Sequence, residues 1–425
     1  MNPGRRRPAK CPPTEIGVGS GAEMGFQRGA GPGPLARNPG LLAAIRFLFF
    51  LHFVASVLIP FLRDWGGLSY LEILLLNAWF MGWSFLLEVP TGVVADRFGR
   101  RISVALAGAA ASAAALVFAA APRYPLFLLG EVLFAAATAL LSGADEALLY
   151  DTLRALGREE RATRSLSGLE AWKLAGIVAG ALAGGPLAAR FGLRSPLLLQ
   201  AAPAALAALL ALALVEPVHP EPARRPGSRE LLLGGLRHLR GHPVLRSLAL
   251  DLVACASLAW LVIWLYQPQL ERVGVPLALF GIVHAGMCVG QIAVLAGAAR
   301  FERLLGGRRR VIRLAAWVPG LAYLALAAAS GVTAVVAAIV LAASFGLSRP
   351  VLFSGALNRH IPSAQRATVL SAISMLRTLA IALVNPLAGL LADRSMRGAL
   401  VALGLAAIVV AFVTGARQAP LEDGR

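Results

Sequence analysis

Twelve stretches, each close to the length that crosses a bilayer and almost empty of charge, recur between Leu41 and Thr414. A hydrocarbon core of ~30 Å takes about 20 helical residues at ~1.5 Å each. On that measure the spans fall at 41–62, 70–94, 102–121, 125–150, 165–189, 195–215, 246–267, 276–299, 311–329, 332–353, 368–392 and 398–415. Lipid offers no partner to a free backbone N–H or C=O, so each span must be a helix or a strand of a closed barrel. The Ala/Leu/Gly-rich runs show no two-residue alternation, which excludes the barrel. With 58% hydrophobic and only 15% charged residues, the chain also has too little polar surface for a soluble protein of this size. The expected fold class is an all-α membrane protein of twelve transmembrane helices.

The formal net charge of +18 raises the question of nucleic acid, and the placement of the charge answers it. If the amino end is cytoplasmic, 29 of the 40 Lys and Arg lie in segments on that side, 7 on the other and 4 inside spans. Cytoplasmic loops carry such an excess, so the charge is topological and both termini are expected inside, with no nucleic-acid partner. Three cysteines, Cys11, Cys255 and Cys288, suggest neither a disulfide framework nor a metal site. Residues 1–40 are rich in Gly, Pro and Arg and read as a disordered tail, within which Met24 offers a second start, and 416–425 form a second tail. A Pro-rich break opens the linker 216–245, whose segment Leu231 to Arg240 is basic and amphipathic and is expected at the cytoplasmic membrane surface. The linker divides the chain into six-helix bundles at 41–215 and 246–415.

The two bundles share a pattern at an offset of 205 residues. Arg161-Ala162-Thr163 matches Arg366-Ala367-Thr368, Gly92 matches Gly297, and in-span Arg46 falls on in-span Asp251. A duplicated six-helix unit accounts for this. Between spans 2 and 3 stands GVVADRFGRR, with Gly92, Asp96, Arg97, Gly99, Arg100 and Arg101. Gly99 permits a tight turn, Asp96 suits the positive end of a neighbouring helix, and the arginines hold the loop in the cytoplasm. Motif, span count and duplication together resemble the major facilitator superfamily of secondary transporters over roughly residues 41–415. The resemblance implies two pseudo-symmetric six-helix bundles and a central cavity lined by spans 1, 4, 7 and 10. It also implies that the motif latches the amino half to the carboxyl half at the start of span 11.

Ionisable groups within spans cost roughly 2.5 kcal/mol or more unless paired or wetted, so each is a candidate for function. Span 1 carries Arg46 and span 4 carries Asp145 and Glu146 at similar depth; span 7 carries Asp251 and span 10 carries Arg349, with the charges exchanged. These groups read equally as buried ion pairs or as proton-exchanging sites facing the cavity. Glu131 reads as a cavity group or an interhelical hydrogen bond, and Arg377 as a ligand contact or a partner of carbonyls. Glu170 and Lys173, spaced i, i+3, read first as a same-helix salt bridge. His52 and His284 read as packing residues, and Trp79, Trp83, Trp260 and Trp264 as interface anchors or cavity walls. Gly176, Gly180 and Gly184 form a stripe on span 5 that is expected to pack on span 8 if the family arrangement holds. The Gly-Pro pair of span 5, Gly185-Pro186, follows that stripe and does not interrupt it, unlike the motif of drug and proton antiporters.

No Walker-type loop, HExxH or Gly-x-Ser-x-Gly elbow is present, so neither ATP-driven pumping nor hydrolysis has a site, and no cofactor is expected. The duplication favours a carrier over a channel or a receptor on the same fold. The sequence therefore suggests a monomeric, multi-pass secondary transporter of the bacterial cytoplasmic membrane. Its expected work is proton-coupled export of a small molecule, with proton-coupled uptake of a metabolite as the alternative.

Overall fold

The computed structural model describes residues 32–217, 228–361 and 365–415. The tail residues 1–31 and 416–425, and the Pro-rich part of the linker at 218–227, lie outside them, so most of the disorder expected over 1–40 concerns residues not described, while its last part is helical at Pro32–Leu35 and from Asn38 onward. Eleven helices are long and apolar enough to cross a membrane, and the remaining span, Ser195–Ala211, is shorter at 17 residues.

Three spans depart from a single rod. Span 1 begins as the helix Asn38–Phe49, breaks at 50–52, and resumes through a tight turn at Phe53–Ser56 and short helical turns at Leu58–Pro60 and Phe61–Trp65. Span 4 is split into Tyr124–Leu141 and Ala144–Ala155 by Gly143, whose φ of 73° is left-handed. Span 7 passes from Pro243–Trp260 to Val262–Arg272 across Leu261. The others are Tyr70–Phe98 (span 2), Arg100–Ala120 (3), Ala162–Phe191 (5), Phe280–Ala296 (8), Arg308–Ala328 (9), Val332–Arg359 (10), Arg366–Arg394 (11) and Met396–Gly415 (12). The linker's amphipathic segment forms the helix Ser228–Gly241.

The packing is asymmetric between the two ends of the molecule. At the end away from the GVVADRFGRR loop, one apolar core joins both halves, with Phe61, Ile73 and Phe127 of the first half and Leu265, Tyr266, Phe280 and Tyr323 of the second. At the motif end the core is divided. One cluster, from Leu42 to Leu214, belongs to the first half, and another, from Leu239 to Ile373, belongs to the second. The halves are thus fused at the far face and separate at the motif face.

Polar and backbone contacts close the far face at three pairs of spans. At spans 2 and 11, the backbone N–H groups of Tyr70 and Leu71 donate to Asp393 Oδ1 and Oδ2 at 2.7 and 2.9 Å. Deeper in the same pair, Asn385 Nδ2 donates to Asn77 Oδ1 at 2.6 Å. At spans 1 and 7, Ile59 N–H donates to Gln267 Oε1 at 2.8 Å, while Gln267 Nε2 donates to the Ala55 carbonyl at 2.9 Å. At spans 5 and 8, Gly281 lies directly against the Ala181 carbonyl, and a Cβ on Gly185 would come within 2.7 Å of the Leu277 carbonyl.

The glycine stripe of span 5 corrects an expectation. Gly176, Gly180 and Gly184 face span 1 and not span 8, lying against Phe47, His52 and Phe53. The cause is the break at 50–52: an unwound segment brings bare backbone to its neighbour, and only a side chain no larger than hydrogen lets the two backbones meet. Gly185 and Ala181, on the other side of the helix, make the contact with span 8.

Candidate functional site

The charged groups that the sequence places at equal depth meet in two clusters, one in each half. In the second half, Arg349 Nη2 reaches Asp251 Oδ2 at 2.7 Å, with both side chains 1% exposed. Arg349 Nη1 also donates to the Asp251 carbonyl at 3.3 Å, and the guanidinium lies 4.8 Å from the Phe353 ring centre. Cys255 Sγ donates weakly to Asp251 Oδ1 at 3.5 Å. Both members of this pair are enclosed.

The first half makes a larger and unbalanced network. Arg46 Nη1 pairs with Asp145 at 2.8 Å, and its Nη2 is shared by Glu146 at 2.8 Å and Glu170 at 3.0 Å. Lys173 joins through Glu170 at 2.9 Å. Glu170 and Lys173 form the expected same-helix bridge, but Glu170 also links span 5 to span 1, which the sequence reading did not anticipate. The network holds three carboxylates and two cations. Arg46 and Asp145 are buried, whereas the Glu146 and Glu170 side chains are about half exposed, at 51% and 49%. Gly143 places the acids: by breaking span 4 it starts a new helix at Ala144, so that Asp145 and Glu146 occupy a first turn whose N–H groups favour anions. Glu146 N–H donates to Asp145 Oδ1 at 2.8 Å.

Three further in-span charges have no charged partner among the described residues: Glu88 in span 2, Glu131 in span 4 and Arg377 in span 11. Glu131 is half-buried. Sequence reasoning passed over Glu88. The signal was present, since a second acid in an otherwise uncharged span needs the same explanation as Glu131.

At the motif itself, span 2 runs unbroken through Asp96 and Arg97 to Phe98, and Gly99 turns with φ 93° into span 3. The Arg100 guanidinium pairs with Asp151 of span 4, and the Arg100 backbone N–H donates to Glu216 Oε1 at 2.5 Å. A Cβ on Gly99 would approach Glu216 Oε2 to 2.5 Å, so the glycine serves both the turn and this contact. These contacts tie the motif to span 4 and to the first residue of the linker. Gly92, exposed Asp96 and exposed Arg97 stand on the last turns of span 2, and Arg101 opens span 3. Between the motif-side parts of spans 2 and 11 lies a cleft of about 370 Å³, lined by Ser84, Phe85, Glu88, Ser371, Ser374 and Thr378 among others.

The histidines and tryptophans pack in the closed part. His284 Nδ1 is 3.0 Å from the Tyr266 hydroxyl, and His52 sits against Gly180. Trp260 Nε1 donates to Asn77 at 3.4 Å across the halves, Trp264 is buried in the shared core, and Trp79 donates to the Leu128 carbonyl at 3.2 Å beside Trp83.

Two six-helix halves joined at one face, parted at the other, with charged clusters between membrane helices, define a secondary-transporter architecture. A family model of the Major Facilitator Superfamily matches residues 41–385, and the chain belongs to that family. Solved structures of similar shape include the nucleoside transporter NupG, at 14% identity and a TM-score of 0.76, with 90% of this chain and 99% of that one covered. A bacterial homologue of the human lysosomal transporter Spinster, inward-facing and unoccupied, is 17% identical with a TM-score of 0.72, covering 92% and 98%. A POT family transporter in complex with 5-aminolevulinic acid is 15% identical with a TM-score of 0.67, covering 89% and 95%. At these identities the likeness concerns the fold. The protein is a transporter and not an enzyme.

Proposed function

We propose that the protein is a proton-coupled carrier that exports a small amphipathic molecule from the cytoplasm by alternating access, as a monomer with both termini inside. The observation that carries this reading is the pairing of a one-sided closure with an unbalanced acid network. The motif face bears the Lys/Arg-rich loops and is therefore the cytoplasmic one. In the state described the carrier is open to the cytoplasm, with the periplasmic side closed by Asp393, Asn385, Gln267 and Gly281.

Coupling requires a group that exchanges a proton in one state and is held in the other. The Arg46 network offers one, because three carboxylates share two cations and two of those carboxylates reach solvent. A bound proton makes the network neutral, which suits the dehydrated state in which the cytoplasmic side is closed, and its release when that side opens leaves the network negative and hydrated, so proton entry accompanies cargo exit. The Asp251–Arg349 pair, with neither side chain reaching solvent, holds the second half together. Glu131, without a partner and nearer the periplasmic end of span 4, supplies a second proton acceptor on the far side of the same span.

Purified protein in liposomes loaded with a pH-sensitive dye tests this. Under an imposed proton gradient, a library of candidate compounds is added in turn. A transported compound is expected to dissipate the gradient with wild type and not with Asp145→Asn/Glu146→Gln or with Glu131→Gln. The sign of the proton flux relative to the compound separates export from uptake. Accumulation of compounds with no proton movement would refute coupling.

A further inference from the structure

The cleft between spans 2 and 11 carries a chemistry that the acid network does not explain. Its one lining charge is Glu88, an exposed carboxylate on the motif-side half of span 2, with no cation paired to it among the described residues. Around it stand hydroxyls from both halves: Ser84 on the same helix, and Ser371, Ser374 and Thr378 on the facing one. Ser84 Oγ is buried without a hydrogen-bond partner, although a serine in a helix ordinarily satisfies itself on the preceding turn. Ser371, Ser374, Met375 and Thr378 follow the i, i+3, i+4, i+7 pattern of one helical stripe, so the hydroxyls face the cleft as a set. Phe85, Leu370 and Met375 supply an apolar wall. At about 370 Å³ the space lies at the small end of ligand pockets.

We propose that this cleft binds the transported molecule as a protonated amine on a compact apolar body, with Glu88 as the counter-charge. An ammonium group has three donors and no acceptor, which matches a carboxylate flanked by hydroxyl oxygens. A neutral or anionic molecule would leave Glu88 as an uncompensated charge when closure removes its water. The Phe85 ring adds a surface that attracts cations, and Met375 adapts to varied apolar bodies. Arg377 is on span 11, three residues after Ser374, but is not among the residues that line the cleft. The cleft lies between the halves at the face where they are parted, so a bound amine would be enclosed as they close. This inference rests on the carrier reading, whose cargo it specifies.

Binding is measured on the full-length protein in lipid nanodiscs with two primary amines, dansylcadaverine and phenethylamine, each beside its N-acetylated form, which keeps the body and loses the charge. The amines are expected to bind at least 10-fold more tightly than the acetylated forms. Glu88→Gln is expected to abolish that preference while keeping the thermal midpoint of wild type, and Glu88→Asp to keep part of it. Arg377→Gln is expected to leave it intact. Failure of both amines to bind, equal binding of the acetylated forms, or a preference that survives Glu88→Gln would overturn the proposal. Liposome flux separates this inference from the one beneath it. Amine binding without proton movement refutes coupling and leaves the site standing, whereas proton-coupled flux of other compounds, unchanged in Glu88→Gln, refutes the site and leaves the carrier standing.

Discussion

Removing one member of the Asp251–Arg349 pair should be far more harmful than removing both. The two side chains are 1% exposed and 2.7 Å apart, and the guanidinium is further fixed by the Asp251 carbonyl and the Phe353 ring. Deleting a single partner of a buried pair typically costs about 3–5 kcal/mol, because the remaining charge keeps its desolvation penalty and loses its compensation. Replacing both with uncharged residues of similar volume is often close to neutral, since penalty and attraction are removed together. Asp251→Asn should therefore lower the thermal midpoint by roughly 6–20 °C, if one kcal/mol corresponds to about 2–4 °C. Asp251→Asn/Arg349→Gln should recover most of that loss and keep proton-coupled flux per folded molecule. The assay is thermal unfolding in detergent followed by tryptophan fluorescence, with flux measured on the same preparations. A single variant as stable as wild type would refute the burial argument. A double variant that is stable but uncoupled would refute the assignment of this pair to structure and transfer it to the mechanism.

Other perturbations follow from the same geometry. Asp393→Ala removes an acceptor shared by two N–H groups at the start of span 2, each contact being worth about 1 kcal/mol, so the far face should open about 5- to 30-fold more often, read as faster labelling of a cysteine placed at Gly67. Gly281→Val puts side-chain atoms into the Ala181 carbonyl and should hold spans 5 and 8 apart, lowering flux by more than 10-fold without loss of membrane insertion. Gly180→Leu clashes with the His52 backbone, 2.6 Å from where its Cβ would stand, and should destabilise the first half by about 1–3 kcal/mol or more, seen as a lower thermal midpoint. Arg100→Gln breaks the link to Asp151 and should slow interconversion of the two states while substrate binding is kept, measured as reduced flux at unchanged affinity.

The spans were legible because a bilayer imposes length and polarity on each of them separately, and residues such as Arg46, Asp145, Asp251 and Arg349 stood out for the same reason. Their pairing was legible too, through equal depth in related spans. What the sequence did not reveal depends on direction around a helix. Whether Gly180 faces span 1 or span 8 is set by the break at 50–52, and no local signal announces that break: His52 and Phe53 carry neither proline nor glycine. Glu170 was read as a partner for Lys173 because i, i+3 spacing is visible in one dimension, while its contact with Arg46, 124 residues away, is not. Glu88 belongs with this group. Its importance lies in the hydroxyls of span 11 across the cleft, and sequence alone does not bring those two helices together.

The central claim is that the halves alternate, closing one face as the other opens. Two spin-label pairs in a background without native cysteines measure it directly: Phe98 with Gln365 across the motif face, and Gly67 with Arg397 across the far face. Distances are recorded by double electron–electron resonance at low and high pH, with and without a transported compound. The account predicts that the motif-face distance shortens under the conditions that lengthen the far-face distance, with both states sampled during flux. Fixed distances at both faces while flux continues would contradict alternation and indicate a pore.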